Sequence, residues 1–387
     1  VPFCAGAKCG FCMYYSRLDP SERAVQEYLD QLQAAAEFYA PVFTDQVLSA
    51  LYIGGGTPSL LSIPQIERLF RYVTGRFIFS EVAERTMEQS FRTTSSDQMS
   101  FLHEQGINRL SFGLQSIEEE VLRNVQRASA SPELVRTTLA TAQRLGFLET
   151  NVDLMIGLPG ETSHGIARAL AFLAEAGVDA VTIYVHRYGR EQGYFPDANS
   201  LTHYHREHVP RMLAAARAAA MSAGLVDTVA DDNSEFHFFT TREHLARYAV
   251  TSYRTRHDAN SGNSTLGLGH TALSFVADLV RAKYKNASGP FDAEAPHYAV
   301  DITAADQRRR LHVAESLGRE SGIDTAAFHE RFGITFHEAF AAEIEALESL
   351  GALRQHGARI EIQAADRLEP ALFTLPGKIG VDAPSNS

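Results

Sequence analysis

The chain has no tryptophan, and its three cysteines all fall within the first twelve residues, at Cys4, Cys9 and Cys12. An odd number of thiols cannot pair off internally, and thiols this close together on a glycine-containing loop do not staple distant segments. A disulfide framework is therefore excluded. Long apolar runs are also lacking: none approaches the ~20 residues that a membrane-spanning helix needs. Positive charge is in deficit, with 35 basic residues against 47 acidic ones and a formal net charge of −12. This argues against nucleic-acid binding as a general role, because attraction to phosphate requires a basic surface. Clustered reduced thiols predict a cytoplasmic protein.

What is present is an ordinary globular composition, 45% hydrophobic and 21% charged over 387 residues, enough chain for a large core and more than one domain. The stretch Val1-Pro2-Phe3-Cys4-Ala5-Gly6-Ala7-Lys8-Cys9-Gly10-Phe11-Cys12 suits convergence on one soft metal centre. Two centres fit three thiolates. One is zinc with a fourth ligand elsewhere, which would make the loop a staple in a non-catalytic binding protein. The other is a [4Fe–4S] cluster in which one iron lacks a protein ligand and stays open to a substrate.

Hydrophobic spacing predicts helices over 22–39, 64–74, 96–105, 117–125, 132–145, 162–176 and 208–224. Strands are expected over 47–53, 84–90, 109–113, 149–157 and 180–185. Their alternation indicates about six parallel βαβ units, fewer than the eight of a closed barrel, with ligand-binding loops at the carboxyl ends of the strands. Residues 194–199 and 286–296 read as loop and linker. Residues 302–353 read as helical with turns at Gly322 and Gly333, and 358–362 as a short strand.

Directly after the first long strand comes Gly54-Gly55-Gly56-Thr57-Pro58. Further on stand Asn108-Arg109-Leu110-Ser111-Phe112-Gly113-Leu114-Gln115-Ser116 and Asn151-Val152-Asp153-Leu154-Met155-Ile156-Gly157-Leu158-Pro159-Gly160. Together with the three-cysteine loop, these segments resemble the radical S-adenosylmethionine (SAM) enzymes, in the branch of oxygen-independent coproporphyrinogen III oxidase and the related haem chaperone. The resemblance implies an α/β fold, an open partial (β/α)6 barrel followed by a C-terminal helical, winged-helix-like domain, with 266–275 standing where the family has a glycine-rich strand returning to the core. It divides the chain into a core at 1–225, truncated at its N-terminus, a connecting α+β segment at 226–298, the C-terminal domain at 299–380 and a disordered tail at 381–387.

The resemblance also implies roles. Cys4, Cys9 and Cys12 would hold three irons of a [4Fe–4S] cluster, and the fourth iron would bind the amino and carboxylate groups of SAM. One electron then cleaves a carbon–sulfur bond to give a 5′-deoxyadenosyl radical. Phe11 would sit beside the cluster, Gly55, Gly56 and Thr57 would receive the SAM amino group, and Glu88 would contact SAM. Gln115, Arg127 and Asp153 match residues lining the nucleotide or second-ligand site, so one or two SAM molecules are expected. The blander readings are a tight turn for the glycines and a solvated helix end for Arg127. Asp153 lies between apolar neighbours in a strand, where an unpaired carboxylate is costly. His203, His205 and His208 read as a solvated helix start, and His257 and His270 as ordinary core or surface histidines.

The cysteine spacing here is Cys-x4-Cys-x2-Cys against the family's Cys-x3-Cys-x2-Cys, an inexpensive insertion in loop-closure terms. The haem chaperone's His-Asn and Tyr-Trp pattern is replaced by Arg256-His257-Asp258-Ala259-Asn260-Ser261-Gly262-Asn263. A kept core with an altered substrate side points to the members of the branch that methylate or cyclopropanate unsaturated carbons. The expectation is thus a methyltransferase-like enzyme, with a porphyrin enzyme or haem chaperone as the alternative. A small-molecule substrate and a reductant such as flavodoxin or ferredoxin would be its partners.

Overall fold

A computed structural model describes residues 1–186, 204–228, 236–247, 264–270, 272–276, 280–284, 298–302, 309–310, 312–313, 323–349 and 353–362. Two short parallel strands, β1 (Phe3–Cys4) and β2 (Arg17–Leu18), bracket the cysteine loop. Helix α1 (Glu22–Tyr39) starts where the Ser21 side chain accepts from the Ala24 N–H at 3.2 Å, and it buries Val25, Tyr28, Leu29 and Leu32. Strand β3 (Val47–Ile53), helix α2 (Ile63–Thr74, opened by a Ser62/Gln65 capping box), strand β4 (Ile78–Gln89) and helix α3 (Ser96–Glu104) follow. Next come β5 (Arg109–Gln115), α4 (Glu119–Asn124), α5 (Pro132–Leu145), β6 (Glu149–Ile156), α6 (Ser163–Glu175) and β7 (Ala180–Val185). Gly146, at φ 86°, stops α5 in the left-handed conformation that glycine adopts without strain.

Strands β3 to β7 pair in parallel and in sequence order. After α7 (Val209–Ser222), β8 (Leu225–Asp227) takes the sheet edge and β9 (Phe236–Thr241) fits between it and β7, antiparallel to both. The seven-stranded order is β3-β4-β5-β6-β7-β9-β8. Among the described residues, then, five strands pair in parallel, and a sixth that runs the same way, β8, is separated from them by the antiparallel β9. The crossover through α7 lands one position out, and the chain returns beside β7.

The strands alternate between two chemistries. Met87, Leu110, Phe112, Leu114, Val152, Leu154, Ile156, Val181 and Ile183 face the helices in one core with Leu29, Ile66, Leu139, Leu170 and Ala216. Each fully buried large side chain contributes roughly 1.5–3 kcal/mol. The intervening residues on β4, β5, β6 and β7 (Thr86, Glu88, Arg109, Ser111, Glu149, Asn151, Asp153, Thr182) are polar and line the other face. At its floor Arg109 Nε donates to Glu149 Oε1 at 2.6 Å, with side chains 2% and 4% exposed. His244, on helix α8 (Arg242–Arg247), meets Glu149 Oε2 at 2.8 Å. Burial opposes the Arg109 charge, but Glu149 and Glu84 outweigh it and hold the guanidinium above its ordinary pKa.

Several boundaries differ from the sequence reading. β4 begins six residues earlier than expected because its exposed start carries no alternation, and β5 extends through Gln115. Helix α4 is shorter at both ends than 117–125. The expected strand 266–275 is a strand only in β10 (Leu273–Val276), followed by β11 (Val280–Tyr284) and β12 (Tyr298–Ile302).

The chain divides into two compact units, the first comprising Val1–Thr255 with Gly267–Leu273 and Lys283–Ala299, the second the remainder. Within the second, β13 (Ile323–Asp324), α9 (Thr325–Phe332), α10 (Phe336–Ala339), α11 (Ala341–Ser349), β14 (Leu353–His356) and β15 (Arg359–Ile362) surround a core of Val313, Ile323, Phe328, Phe336, Phe340, Ile344 and Ile360. Its strands form a small antiparallel sheet in the order β13-β15-β14. The uniformly helical reading of 302–353 is corrected by β13 and β14. Residues 194–199, 256–263, 286–296 and 381–387, together with His203, His257 and Gly322, lie outside the described residues.

Candidate active site

The three free thiols sit on the loop between β1 and β2, each partly exposed. The loop is pinned at several points. Cys12 N–H donates to the Cys9 carbonyl at 3.0 Å, Gly10 N–H to the Val125 carbonyl at 2.8 Å, and Asp19 N–H to the Cys4 carbonyl at 2.8 Å. Asp19 Oδ1 in turn accepts from Gly6 N–H at 2.9 Å. Two side chains donate to sulfur: Thr57 Oγ1 to Cys4 Sγ at 3.8 Å, and Arg127 Nη1 to Cys9 Sγ at 3.5 Å. Among the described residues, no three His, Cys, Asp or Glu side chains converge on a single metal ion, whereas a [4Fe–4S] cluster takes each thiolate on a different iron.

The glycine run leaves β3 directly beside this loop. Gly56 N–H donates to the Val1 carbonyl at 2.7 Å and Thr57 N–H to the Phe3 carbonyl at 2.6 Å. A Cβ on Gly55, at φ +123°, would stand 2.6 Å from the Val1 carbonyl oxygen, and one on Gly56 would strike the Phe3 carbonyl. Both positions therefore require glycine for close backbone approach. Glu88, at the carboxyl end of β4, faces the run. Its Oε1 accepts from Tyr52 Oη at 2.6 Å and its Oε2 from Gly55 N–H at 3.0 Å. Burial pushes the Glu88 carboxyl up from its ordinary range, and the bonds from Tyr52 and Gly55 act against that rise.

On the other side of the mouth, Arg127 emerges from the turn after α4, where Gln126 adopts φ 56°. Its Nη2 donates to the Gly113 carbonyl, and its guanidinium lies 6.0 Å from the centroid of the Phe11 ring. Phe11 packs beside Val121, Val125, Met155 and Leu158 and meets the His186 ring edge-on at 6.4 Å. Gln115, at φ 73°, ends β5 beside a register shift against β6. That left-handed conformation costs about 1–3 kcal/mol in a residue other than glycine, and its buried Oε1 has no hydrogen-bond partner among the described residues. Asp153 is held by Asn151 and Ser111. Burial first, and Glu88 second, push its carboxyl up to about 7.

The structure thus brings Cys4, Cys9, Cys12, Phe11, Gly55, Gly56, Thr57, Glu88, Gln115, Arg127 and Asp153 to strand ends and loops of the first unit. The sequence reading missed Tyr52, Ser111, Asn151, Thr182 and His186. The signal for the strand residues was the polar alternation Arg109-x-Ser111-x-Gly113 and Glu149-x-Asn151-x-Asp153, in strands that would read as continuously apolar if both faces were dry. His208 stacks on Tyr204, and His270 bonds Gln31 Oε1 at 3.0 Å.

An open, mostly parallel sheet bearing a three-thiol loop at the carboxyl ends of its strands defines the radical SAM class. Residues 1–173 match the model of the Radical SAM superfamily, so the chain carries a Radical SAM domain. Residues 319–368 match the HemN C-terminal domain, which makes the chain a radical SAM enzyme of the HemN/HemW type. Oxygen-independent coproporphyrinogen III oxidase of Salmonella typhimurium is 28% identical over 379 residues, covering 90% of this chain and 77% of that one. Heme chaperone HemW of Mycobacterium tuberculosis is 31% identical over 186 residues, 48% of this chain and 47% of that one. A solved structure of coproporphyrinogen III oxidase (HemN) from Escherichia coli has the same fold, with a TM-score of 0.76 at 23% identity, covering 96% of this chain and 87% of that one. The cofactors of the superfamily, a [4Fe–4S] cluster and SAM, are therefore those of this chain. These likenesses favour the porphyrin or haem alternative over the methylation expected from the altered substrate side. No helix among the described residues is long and apolar enough to cross a membrane.

Proposed function

We propose that this enzyme carries out radical chemistry of the coproporphyrinogen-oxidase kind, oxidatively decarboxylating an unsaturated small molecule of the porphyrinogen class, with one hydrogen atom lost to the radical, carbon dioxide released and the remaining electron passed to a one-electron acceptor. The carrying observation is the convergence at one mouth of the thiol loop, the Gly55–Thr57 cradle with Glu88, and the set Phe11, Gln115, Arg127 and Asp153. Similarity to a coproporphyrinogen oxidase over 90% of the chain supports the decarboxylating branch more than the half-length match to a chaperone.

The residues fit the cofactors. Three partly exposed thiols, with donors on two of the sulfurs, suit thiolates that bind three irons. Gly55 and Gly56 let the run lie directly against the backbone of Val1 and Phe3 beside the thiol loop, and Gln115 keeps an unused buried acceptor. When bound, the cluster and SAM supply the 5′-deoxyadenosyl radical that starts the reaction. The Thr57 hydroxyl and the Arg127 guanidinium stabilise negative charge on Cys4 and Cys9. Glu88, fixed by Tyr52 and Gly55, presents a carboxylate to a cationic amine in the cradle. Phe11, with Val125, Met155 and Leu158, forms an apolar wall that excludes water. Gln115, Arg127 and Asp153 would hold a second SAM molecule. A flavodoxin or ferredoxin is the reductant in this reading, and nucleic acid is no partner.

The test is product analysis of anaerobically reconstituted enzyme given a reductant, methyl-deuterated SAM and coproporphyrinogen III. The expected products are 5′-deoxyadenosine and a decarboxylated porphyrinogen free of deuterium. S-adenosylhomocysteine with deuterium in the product would overturn the proposal in favour of methyl transfer. Haem binding with neither nucleoside product would overturn it in favour of a chaperone.

A further inference from the structure

Asn151 is fully buried, yet all the hydrogen-bonding atoms of its side chain are engaged. Its Oδ1 accepts from Thr182 Oγ1 on β7 at 2.9 Å. Its Nδ2 donates to Asp153 Oδ1, two residues along β6, at 2.7 Å and to Ser111 Oγ on β5 at 2.9 Å. With its oxygen lone pair taken by Asn151, the Ser111 hydroxyl turns its hydrogen toward the Asp153 carboxylate, at 3.3–3.4 Å. Three adjacent strands thus contribute one chain of donors that all point the same way and end on a single carboxylate.

We propose that Asn151, oriented by Thr182 and assisted by Ser111, is a positioning residue that fixes the plane of the Asp153 carboxylate and turns its Oδ2 toward the bound ligand. The assignment rests on the reading above that Asp153 faces the second SAM. Asp153 Oδ1 carries the short bond from Asn151, whereas Oδ2 has only the long contact from Ser111, so Oδ2 is the oxygen with capacity to spare. A carboxylate can reach a ligand through one oxygen reproducibly only if the other is tied down, and an amide clamped at both ends does this more firmly than a lone hydroxyl.

The chain of donors also bears on charge. Burial and Glu88 drive Asp153 toward the neutral form, while Arg109 and the bonds from Asn151 and Ser111 favour the ionised one. The charged and titratable groups facing it are Glu88 from β4, Arg109 from β5 and Tyr14 from the thiol loop. Arg127 lies on Gly113, its register partner on β5, and β7 presents Thr182 opposite with Tyr184 beyond it. Deleting donors to the charged form raises a carboxyl pKa, so loss of Asn151 leaves Asp153 protonated at a pH where it is now ionised.

Infrared titration of the protonated-carboxyl stretch, identified by its absence in Asp153→Asn, reads this without any added ligand. The midpoint should lie near the 7 indicated for Asp153 and rise by about one pH unit or more in Asn151→Leu. Thr182→Val, which frees the amide, should shift it in the same direction, and Thr182→Ser should restore it. Equal midpoints in wild type and Asn151→Leu, both folded by circular dichroism, would overturn the proposal. In equilibrium dialysis of reconstituted enzyme at pH 7, Asn151→Leu should weaken the second SAM roughly fivefold, the loss of ionised Asp153 that a one-unit rise from about 7 gives at that pH, and leave the first unchanged. If the wild type binds a single SAM, the second-site reading fails, and the infrared titration still decides whether Asn151 governs Asp153.

Discussion

Replacing Gly56 with valine should strip the enzyme of iron and sulfide as well as of SAM cleavage. A Cβ at this position would collide with the Phe3 carbonyl and stand 2.9 Å from the Phe3 nitrogen, and Phe3 opens the strand that carries Cys4. The neighbour is backbone fixed by the Thr57–Phe3 bond, so it cannot rotate aside as a side chain would. From sequence alone, the double change Gly55→Val, Gly56→Val should raise the SAM requirement while sparing the iron, because the glycines belong to the ligand cradle. The geometry reverses the second half of that expectation: the cradle and the first thiol share one backbone contact. Overpacking of this kind costs roughly 1–3 kcal/mol where neighbours can relax, and here relief would come by displacing Cys4. Iron and sulfide per chain, measured after anaerobic reconstitution of folded Gly56→Val, check this. Wild-type iron content in that variant would place β1 elsewhere.

Glu149→Leu should destabilise the first unit by about 3 kcal/mol or more, the usual cost of breaking a buried ion pair from one side. The carboxylate is shared by Arg109 at 2.6 Å and His244 at 2.8 Å, and its removal takes from the buried Arg109 charge its main counter-charge. Burial would raise the Glu149 pKa, but Arg109, together with the bonds from His244 and Arg109, outweighs it and holds the carboxyl below its ordinary range. A depressed carboxyl contributes stability that is present above its unfolded value of about 4.3 and is lost as pH falls through the lower folded value. The wild-type urea midpoint should therefore fall as pH drops below about 4.3, with less of this acid dependence in Glu149→Leu. A variant within about 1 kcal/mol of wild type would show that the floor tolerates the charge.

Much of this site was legible before the structure because radical chemistry leaves a local record. The three thiols fall within nine residues, and the glycines and Glu88 follow at strand ends that apolar periodicity locates. Helix α1 and strands β3 and β7 fall where spacing puts them, since each has one dry face. The long-range contacts were less visible. Tyr52 reveals its role only once β3 and β4 are in register. Gln115 became a left-handed residue because a bulge in β5 requires it, and nothing in Leu114-Gln115-Ser116 marks a bulge. The antiparallel β9 was hidden because Phe236 to Thr241 carries aromatic residues on both faces, which removes the alternation that betrays a strand. The Asn151 chain could have been inferred from polar residues at every second position of β5 and β6, but only by asking why strands covered by helices should be polar on one face.

In the proposed reaction the thiol loop and the strand-end residues around it act as one reductive SAM-cleaving centre. Its most direct test is iron, sulfide and 5′-deoxyadenosine measured together on anaerobically reconstituted wild type and Cys9→Ala. About four irons with matching sulfide and SAM-dependent 5′-deoxyadenosine are expected in the wild type, and none of the three in Cys9→Ala. Stoichiometric zinc without sulfide, or 5′-deoxyadenosine formation undiminished in Cys9→Ala, would contradict it.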